Sequence, residues 1–168
     1  MKNYYINKLN LNLEIENGFL SEVQPNTGLI PSKYLSTDFP RKIYSFAYYL
    51  LPFGLYTPWH KLKCHQSWQF CDGKPLKLHL ISENGEYSQT IISEKDNFVH
   101  IVEPGIWQAA EVIGSRGNDF TLLSHFNFPQ FDKEDRCRGS FDRLINLFPH
   151  LEKIIDKFKW DDKVNHQF

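Results

Sequence analysis

The sequence predicts an all-β core, an antiparallel sandwich or barrel, followed by short α-helices near its C-terminal end. Short runs rich in β-branched and aromatic residues recur from residue 43 to residue 126, with turn-forming glycine, proline and asparagine between them. After Pro129 the apolar residues recur at three- and four-residue steps. That spacing is typical of amphipathic helices packed on a sheet.

Six strands are predicted from these runs, at 43–51, 67–71, 76–81, 89–93, 99–102 and 120–126. Alternating apolar residues over 8–15 predict an earlier strand, although Ile6 and Leu9 also permit a short helix there. Residues 25–40 show no sustained apolar period. We therefore predict that 25–40 form a loop that crosses or covers the next element, as lids often do.

The length and composition indicate one domain. A chain of 168 residues with 41% hydrophobic content can bury one substantial core and has little chain left for a second. We predict a single domain over 1–168, with a β-barrel at about 9–128 and a helical segment at about 133–160. Pro149 is expected to separate two short helices.

Charge and cysteine usage exclude several classes of partner. The 19 basic and 20 acidic residues nearly cancel and form no long block of one sign, so we expect no nucleic-acid partner. No apolar run approaches the ~20 residues that span a bilayer, and the start of the chain resembles no export signal. Three cysteines without C-x-x-C spacing fit reduced thiols. We therefore expect a cytoplasmic protein without a membrane partner.

The segment 54–73 carries the most informative pattern. Gly54 is followed after five residues by His60, and Gly73 closes the segment. This spacing resembles the first conserved motif of the cupins, whose two histidines and glutamate bind a metal ion. The resemblance implies that His60 stands at the first histidine of that motif.

The other cupin metal positions do not carry the usual ligands. Leu62 stands at the second histidine and Gln66 at the glutamate, and the segment ending at Gln108 resembles the second motif, with Gln108 at the third histidine. Leucine cannot ligate a metal, and a neutral amide is a poor substitute for imidazole or carboxylate. His65 is next to Gln66 in sequence and should face the opposite side of a strand. We expect no metal and no other cofactor.

Further segments extend the resemblance over most of the chain: 16–19, 43–52, 59–61, 68–70, 73–80, 104–109 and 131–132. Together they resemble a small cupin-like family long labelled a domain of unknown function. The resemblance implies an RmlC-like jelly roll, a double-stranded β-helix, with C-terminal helices and often a homodimer. It also implies Glu22 and Arg41 as charges of the pocket. A homodimer is expected too because long barrel strands leave edges to be covered.

His60 is the first candidate for chemistry, since it follows Pro58 and Trp59 at a strand end that should open into the barrel. An imidazole titrates near neutrality and could act as general acid or base. The alternative is a histidine that hydrogen-bonds Gln66 or Gln108 and only fixes the shape of the pocket.

Two tryptophans and two glutamines are candidate ligand contacts. Trp68 and Trp107 could be stacking walls, although buried aromatic residues are more often core. Gln66 and Gln108 would suit an uncharged polar ligand, or could satisfy each other as an amide pair. We predict that these four residues and His60 line one cavity for a small-molecule ligand.

The candidate functions are a metal-independent enzyme and a noncatalytic binding or sensor module. By resemblance to the RmlC-like sugar-nucleotide epimerases, His60 would abstract a proton, and Tyr48, Tyr56 or His125 would return it; the tyrosines could equally be packing residues. A metal-dependent dioxygenase or isomerase would need donors that Leu62 does not supply. The sequence leaves open whether any reaction is catalysed.

Overall fold

The computed structural model describes residues 1–14, 16–23, 27–35 and 39–160. Within these residues the chain forms three α-helices: α1 (Lys2–Lys8), α2 (Phe141–Leu147) and α3 (Glu152–Lys157). The strands of the same residues are β1 (Asn12–Leu13), β2 (Phe19–Val23), β3 (Leu29–Ile30), β4 (Arg41–Lys42), β5 (Ser45–Pro52), β6 (Tyr56–Lys61), β7 (His65–Gly73), β8 (Leu76–Ile81), β9 (Tyr87–Ile92), β10 (Val99–Val102), β11 (Trp107–Val112), β12 (Phe120–Phe128) and β13 (Cys137–Arg138). None of the helices in the described residues has the length and apolar character of a membrane span.

Two antiparallel sheets build the β core. One has six strands in the order β1-β2-β5-β12-β7-β10, and the other has five in the order β13-β6-β11-β8-β9. Apolar side chains from both sheets meet in one buried cluster that includes Leu51, Trp68 and Leu123 from the first sheet and Leu78 and Ala110 from the second. The predicted fold class, an all-β jelly roll with short C-terminal helices, is confirmed.

The C-terminal helices pack on the outer face of the five-stranded sheet. Trp59 and Trp107 point from that sheet into a cluster with Leu144 of α2 and Phe158 after α3, all nearly inaccessible to solvent. Pro149 begins the short 3₁₀ turn that separates the two helices, as predicted. The five-stranded sheet is therefore covered on both faces.

The prediction of a strand over 8–15 is wrong for most of that segment. α1 occupies Lys2–Lys8, and β1 is only two residues long. Tyr5, Ile6 and Leu9 pack together against a buried cluster that contains Phe120, which favours a helical turn over an extended strand. Ile15 lies outside the described residues.

The predicted loop at 25–40 contains some regular structure. Its residues include β3 and a 3₁₀ turn at Ser32–Tyr34, and β3 pairs with β4 just after it. Positions 25, 26 and 36–38 lie outside the described residues, so the prediction that this segment is a lid stays a prediction.

β6 and β11 were not among the predicted strands. β11 contains the sequence Ala109-Ala110-Glu111, whose residue types have low β-propensity, and β6 contains Pro58. The ladder of β6 with β11 tolerates the proline because its register shifts there: Gln108 pairs with His60, but Ala110 pairs with Thr57. This bulge places Thr57 and His60, three residues apart, on the same inner face.

Candidate functional site

A cavity of about 70 Å³ opens at one end of the barrel. It lies among the β1–β2 hairpin, the inner faces of β5, β6, β7 and β12, and the segment after β12. Its polar side chains are Glu14, Glu16, Glu22, Ser45, Tyr49, His60, Gln66, His125, Asn127 and Arg136. Leu20, Leu62, Trp68 and Phe131 are among its apolar walls.

Strand alternation brings the β7 and β12 side chains to one face. His125 and Asn127 are two residues apart on β12, and they pair across the ladder with Trp68 and Gln66 of β7. Residues directly opposite each other in an antiparallel pair share a face of the sheet. All four therefore point into the barrel and line the cavity.

Two buried histidines are held by the backbone in the same way. The Nδ1–H of His60 donates to the carbonyl oxygen of Pro58, and that of His125 donates to the carbonyl oxygen of Ser67, each over 2.9 Å. A carbonyl oxygen can only accept, so Nδ1 carries a proton in both rings. Nε2 is then the ring atom of each imidazole that is not bound to the backbone and is left for the cavity.

The surroundings of His125 keep it neutral near pH 7. Burial lowers its pKa to about 4, and the hydrogen bond to the Ser67 carbonyl and the nearby Glu16 carboxylate, which act in the opposite direction, do not restore it. The Nε2 lone pair of His125 is thus free to accept a hydrogen bond over the physiological pH range.

Glu16 remains ionised at the cavity wall. Burial by itself raises the pKa of this carboxyl, but the neighbouring His60 and Arg136 outweigh burial, so the pKa lies below its ordinary value. Arg136 donates to Glu16 through a 2.7 Å ion pair that is mostly shielded from solvent. The pair fixes one carboxylate and the guanidinium in place.

Tyr49 is held as a neutral phenol at the back of the cavity. Its hydroxyl donates to the carbonyl oxygen of Glu16 over 3.1 Å and lies 2.8 Å from Oγ1 of Thr57. Burial, reinforced by Glu16, raises the pKa of Tyr49 far above its ordinary value. Both hydrogen-bonding capacities of this hydroxyl are used inside the protein.

Asn127 presents the main unsatisfied polar atom of the site. Its Oδ1 is buried and has no hydrogen-bond partner among the described residues. Its Nδ2 makes only a long 3.4 Å bond to Oγ of Ser45. An unpaired buried acceptor costs about 1–3 kcal/mol, and native proteins rarely keep one without a ligand or water to pair it.

Gln66 and Gln108 form the amide pair that the sequence left open as an alternative. Oε1 of Gln108 accepts from the indole Nε1–H of Trp68, and its Nε2 donates to Oε1 of Gln66, both over 2.8 Å. Gln108 lies behind these two residues and does not line the cavity, because both ends of its amide are already used.

The prediction that Trp107 lines the same cavity is wrong. Trp107 is next to Gln108 on β11, so its side chain points to the opposite face of the sheet. There it packs with the C-terminal helices, beneath the cationic groups of Lys61 and Arg143.

Three further candidates lie away from the cavity. Tyr48 is on the outer face of β5, and Tyr56 packs on the helical side, where its hydroxyl donates to the carbonyl of Lys159. Arg41 forms a buried 3.2 Å ion pair with Asp135. The pocket-lining roles expected of these residues are therefore not supported by their positions.

The family follows from comparison with known proteins. A family model described as Cupin superfamily (DUF985) matches residues 3–137. The chain belongs to this cupin family. The resemblance predicted from the motifs is thereby confirmed. No curated protein matches this cupin.

Solved structures share the fold of this cupin at low sequence identity. A hypothetical protein from Leishmania major is 20% identical, with a TM-score of 0.85 and coverage of 95% of this chain and 98% of its own. A Shewanella oneidensis protein is 22% identical, with a TM-score of 0.82 and coverage of 94% and 96%. Oxalate decarboxylase from Bacillus subtilis is 13% identical, with a TM-score of 0.57, and the match covers 94% of this chain and 39% of the enzyme. These likenesses show the fold.

The residues at the metal positions of the cupin motifs do not fit a metal ion. Leu62 offers no donor atom, and the amide of Gln108 is occupied at both ends. His65 points away from the cavity and pairs with Glu103 over 2.7 Å. Among the described residues no three His, Cys, Asp or Glu side chains come close enough to hold a metal together.

Half of the predicted site residues meet in the cavity of this cupin. Glu22, His60, Gln66, Trp68 and His125 line it. Sequence reasoning missed Glu16, Ser45, Tyr49, Asn127 and Arg136. Asn127 could have been found from its position two residues after His125, and Glu16 from the matching segment 16–19. No feature of the sequence signals Arg136, because it follows the last barrel strand.

Proposed function

We propose that this cupin binds a small polar molecule in the barrel cavity, with His60, His125 and Asn127 as hydrogen-bonding contacts. The observation that carries the proposal is the buried Oδ1 of Asn127, which has no partner among the described residues. The imidazoles of His60 and His125 line the same cavity, each with Nδ1 bound to a backbone carbonyl. A ligand that donates to Oδ1 of Asn127 and to Nε2 of the neutral His125 would remove the cost of burying these acceptors unpaired.

The size of the cavity sets the scale of this ligand. Pockets for drug-sized molecules are roughly 300–1,000 Å³, several times the 70 Å³ here. The space suits a molecule, or a head group, of a few heavy atoms. A whole sugar nucleotide is much larger than this space, which favours simple binding of a small metabolite over an epimerase of that substrate class.

A thermal-shift screen of small anionic, neutral and cationic metabolites tests the proposal. Hits are then measured by calorimetry against Asn127→Leu, which keeps the side-chain shape but removes its polar atoms. Loss of a buried hydrogen-bonding group should weaken binding about tenfold or more. Asn146→Leu makes the same chemical change on the exposed face of α2 and serves as the control. Equal affinity of both variants for every hit would refute the proposed site.

A one-base isomerase is the second candidate function, favoured by the geometry of His60. With Nδ1–H fixed on the Pro58 carbonyl, its Nε2 could take a proton from a carbon beside a carbonyl group. In a substrate with a hydroxyl on that carbon, the C–H electron pair would form the C=C bond of an enediolate as the carbonyl π pair moves onto its oxygen. The hydroxyl proton would pass to that oxygen, and His60 would return the carbon-bound proton to the former carbonyl carbon. The same imidazole does both steps in this scheme, since Tyr48 and Tyr56 do not line the cavity and His125, neutral with its proton on Nδ1, has no proton on Nε2 to give.

Solvent exchange separates this second candidate from simple binding. A bound hydroxycarbonyl compound should acquire deuterium from D₂O with the native protein and not with His60→Gln. Binding of the compound without deuterium exchange would rule out the isomerase and leave binding as the proposed function.

A further inference from the structure

A chain of hydrogen bonds fixes which way the amide of Gln66 faces. The indole Nε1–H of Trp68 can only donate, so Gln108 must turn its Oε1 towards that indole. Nε2 of Gln108 then donates to Oε1 of Gln66 over 2.8 Å. The Nε2 group of Gln66 is left as a donor, and no described residue accepts a hydrogen bond from it. Since Gln66 lines the cavity, this donor is open to a ligand.

Two acceptors on β12 lie beside this donor. Asn127 pairs with Gln66 directly across the ladder, and His125 lies two residues earlier on the same face. Oδ1 of Asn127 has no partner among the described residues. His125 donates from Nδ1 to the Ser67 carbonyl, and burial lowers its pKa to about 4, so its Nε2 accepts near pH 7.

The spacing of these groups suits a single small molecule. Side chains directly opposite each other in an antiparallel pair have Cβ atoms about 4.5–5.5 Å apart, and their diagonal neighbours are about 7–8 Å apart. The donor of Gln66 and the acceptors of Asn127 and His125 therefore surround one part of the cavity wall. A ligand that satisfies all three must offer one acceptor and two donors from a few atoms.

We infer that the ligand of this cavity carries a primary carboxamide group. Its carbonyl oxygen accepts from Nε2 of Gln66, and its two N–H groups donate to Oδ1 of Asn127 and Nε2 of His125. The pattern uses neither His60 nor the carboxylates of the cavity wall. The inference deepens the proposed function and rests on it.

Other planar groups of the same size leave part of this pattern unpaired. A carboxylate has no N–H for Asn127 or His125, and an amidinium has no acceptor for Gln66. A site built around buried hydrogen-bonding groups rejects an analogue that leaves them unpaired. The cavity of about 70 Å³ has room for the carboxamide and few further atoms.

Three nearly isosteric probes test the class of ligand: acetamide, acetate and acetamidinium. Each is titrated into the isotope-labelled full chain near pH 7.5, with the side-chain amide signals of Gln66 and the imidazole signals of His125 as the NMR readout. We expect acetamide to shift both sets with weak, millimolar affinity, as its few atoms allow. Acetate and acetamidinium should each bind at least tenfold more weakly.

Gln66→Glu exchanges the open donor for an acceptor and keeps the rest of the hydrogen-bond chain. The new carboxylate can still accept from Nε2 of Gln108, so the variant should fold. All three open groups are then acceptors, and acetamidinium should bind at least tenfold more tightly than acetamide. The comparison is made at a pH at which the ¹³C shift of the introduced carboxyl group shows that it is ionised.

Gln89→Glu makes the same chemical change on exposed β9 and is the matched control. It adds the same charge to the protein outside the cavity, so acetamide should stay the preferred probe. A reversal of preference in both variants would show that net charge, and not the donor of Gln66, selects the ligand, and would overturn the inference.

The outcomes distinguish this inference from the proposed function. If acetate or acetamidinium binds the native chain as tightly as acetamide and Asn127→Leu abolishes that binding, the binding function stands and the carboxamide assignment is wrong. The assignment is also wrong if Gln66→Glu keeps the native preference, or if no probe shifts the cavity signals. If the wider metabolite screen also gives no Asn127-dependent hit, the proposed function fails with it.

Discussion

Trp68 and Gln108 join the two sheets of the barrel through a 2.8 Å hydrogen bond in which the indole Nε1–H donates to the amide Oε1. Both side chains are almost completely buried. Gln108 stands at the position for which the motif resemblance implied a metal ligand, and here its side chain ties β11 to β7.

Replacing Gln108 by leucine should destabilise the fold by about 1–3 kcal/mol, because the Trp68 Nε1–H would be left buried without an acceptor. Urea unfolding measures the change. In a double-mutant cycle, Trp68→Phe removes the donor, so Gln108→Leu should cost less in that background. Strictly additive effects would show that the bond contributes little. Gln89→Leu, on exposed β9, is the matched surface control.

The stability of the protein should fall between about pH 6.5 and pH 4. Burial lowers the pKa of His79 and of His125 to about 4, whereas unfolded histidine titrates near 6.5. In this window the unfolded chain binds more protons than the folded one, so acid favours unfolding, by roughly 3 kcal/mol per histidine once the lower pKa is passed. Above pH 6.5 these two groups contribute no pH dependence.

Urea titrations at several pH values check this expectation. His125→Asn keeps a donor for the Ser67 carbonyl but cannot titrate, so its stability should decline less steeply with acid than that of the native protein. His150→Asn changes an exposed histidine and is the matched control. Parallel pH profiles for His125→Asn and the native chain would contradict the assignment.

Much of the fold could be predicted because its signals are local. Turn residues and short apolar runs found six strands, and Pro149 correctly separated α2 from α3. β6 and β11 were not predicted from the sequence because both of their faces are buried, one by the barrel and one by the helices. Apolar and polar residues therefore do not alternate along them. The N-terminal helix was left open as an alternative to a strand, because its apolar side chains fit either structure until Phe120 is placed beside them.

The site was harder to predict because it depends on which face each side chain takes. Tyr48 and Tyr49 are equivalent in sequence, and only the register of β5 against β12 shows that Tyr49 points inward. Strand alternation alone could have excluded Trp107 once Gln108 was placed inside. Arg136 reaches the cavity from a segment beyond the barrel, and no periodic pattern predicts such a contact.

Purified protein should carry no stoichiometric transition metal at the cupin motif. Leu62 has no donor atom and both groups of the Gln108 amide are already bound, so His60 would have to hold an ion almost alone. Elemental analysis after chelator-free purification is the measurement. A metal near one equivalent per chain that disappears in His60→Ala would overturn the expectation, whereas a metal retained in that variant would lie elsewhere.

We propose a homodimer formed through the outer face of the six-stranded sheet. Cross-strand pairing places Val23, Phe46, Phe126, Ser67 and Ile101 in one row over five strands. Val23, Phe126 and Ile101 are 49%, 37% and 58% exposed, a large apolar surface for a monomer. The row ends at β10, whose outer edge is unpaired among the described strands. A second copy of the same face would cover both features.

Light scattering at micromolar concentration should give twice the mass of the chain, and Ile101→Glu should give a monomer by burying a charge at the contact. Ile113→Glu, which changes an isoleucine of 42% exposure outside this row, should remain dimeric. A native chain that is monomeric at high concentration would refute the proposed dimer. The same change of mass in Ile101→Glu and Ile113→Glu would refute the proposed contact face.

The bulge at Pro58 reverses which face of β6 the following side chains point to. Side chains of a regular strand alternate between the two faces of the sheet. One inserted residue therefore moves every later side chain of the strand to the opposite face. Before the bulge, Thr57 points into the barrel and its hydroxyl contacts that of Tyr49. After the bulge, His60 points into the cavity and Trp59 points into the helix layer. Loss of a single residue here would send the indole of Trp59 into the cavity and the imidazole of His60 among the helices. The lining of the cavity and the docking of the helices therefore depend on the same bulge, and an insertion or deletion in β6 would alter both together.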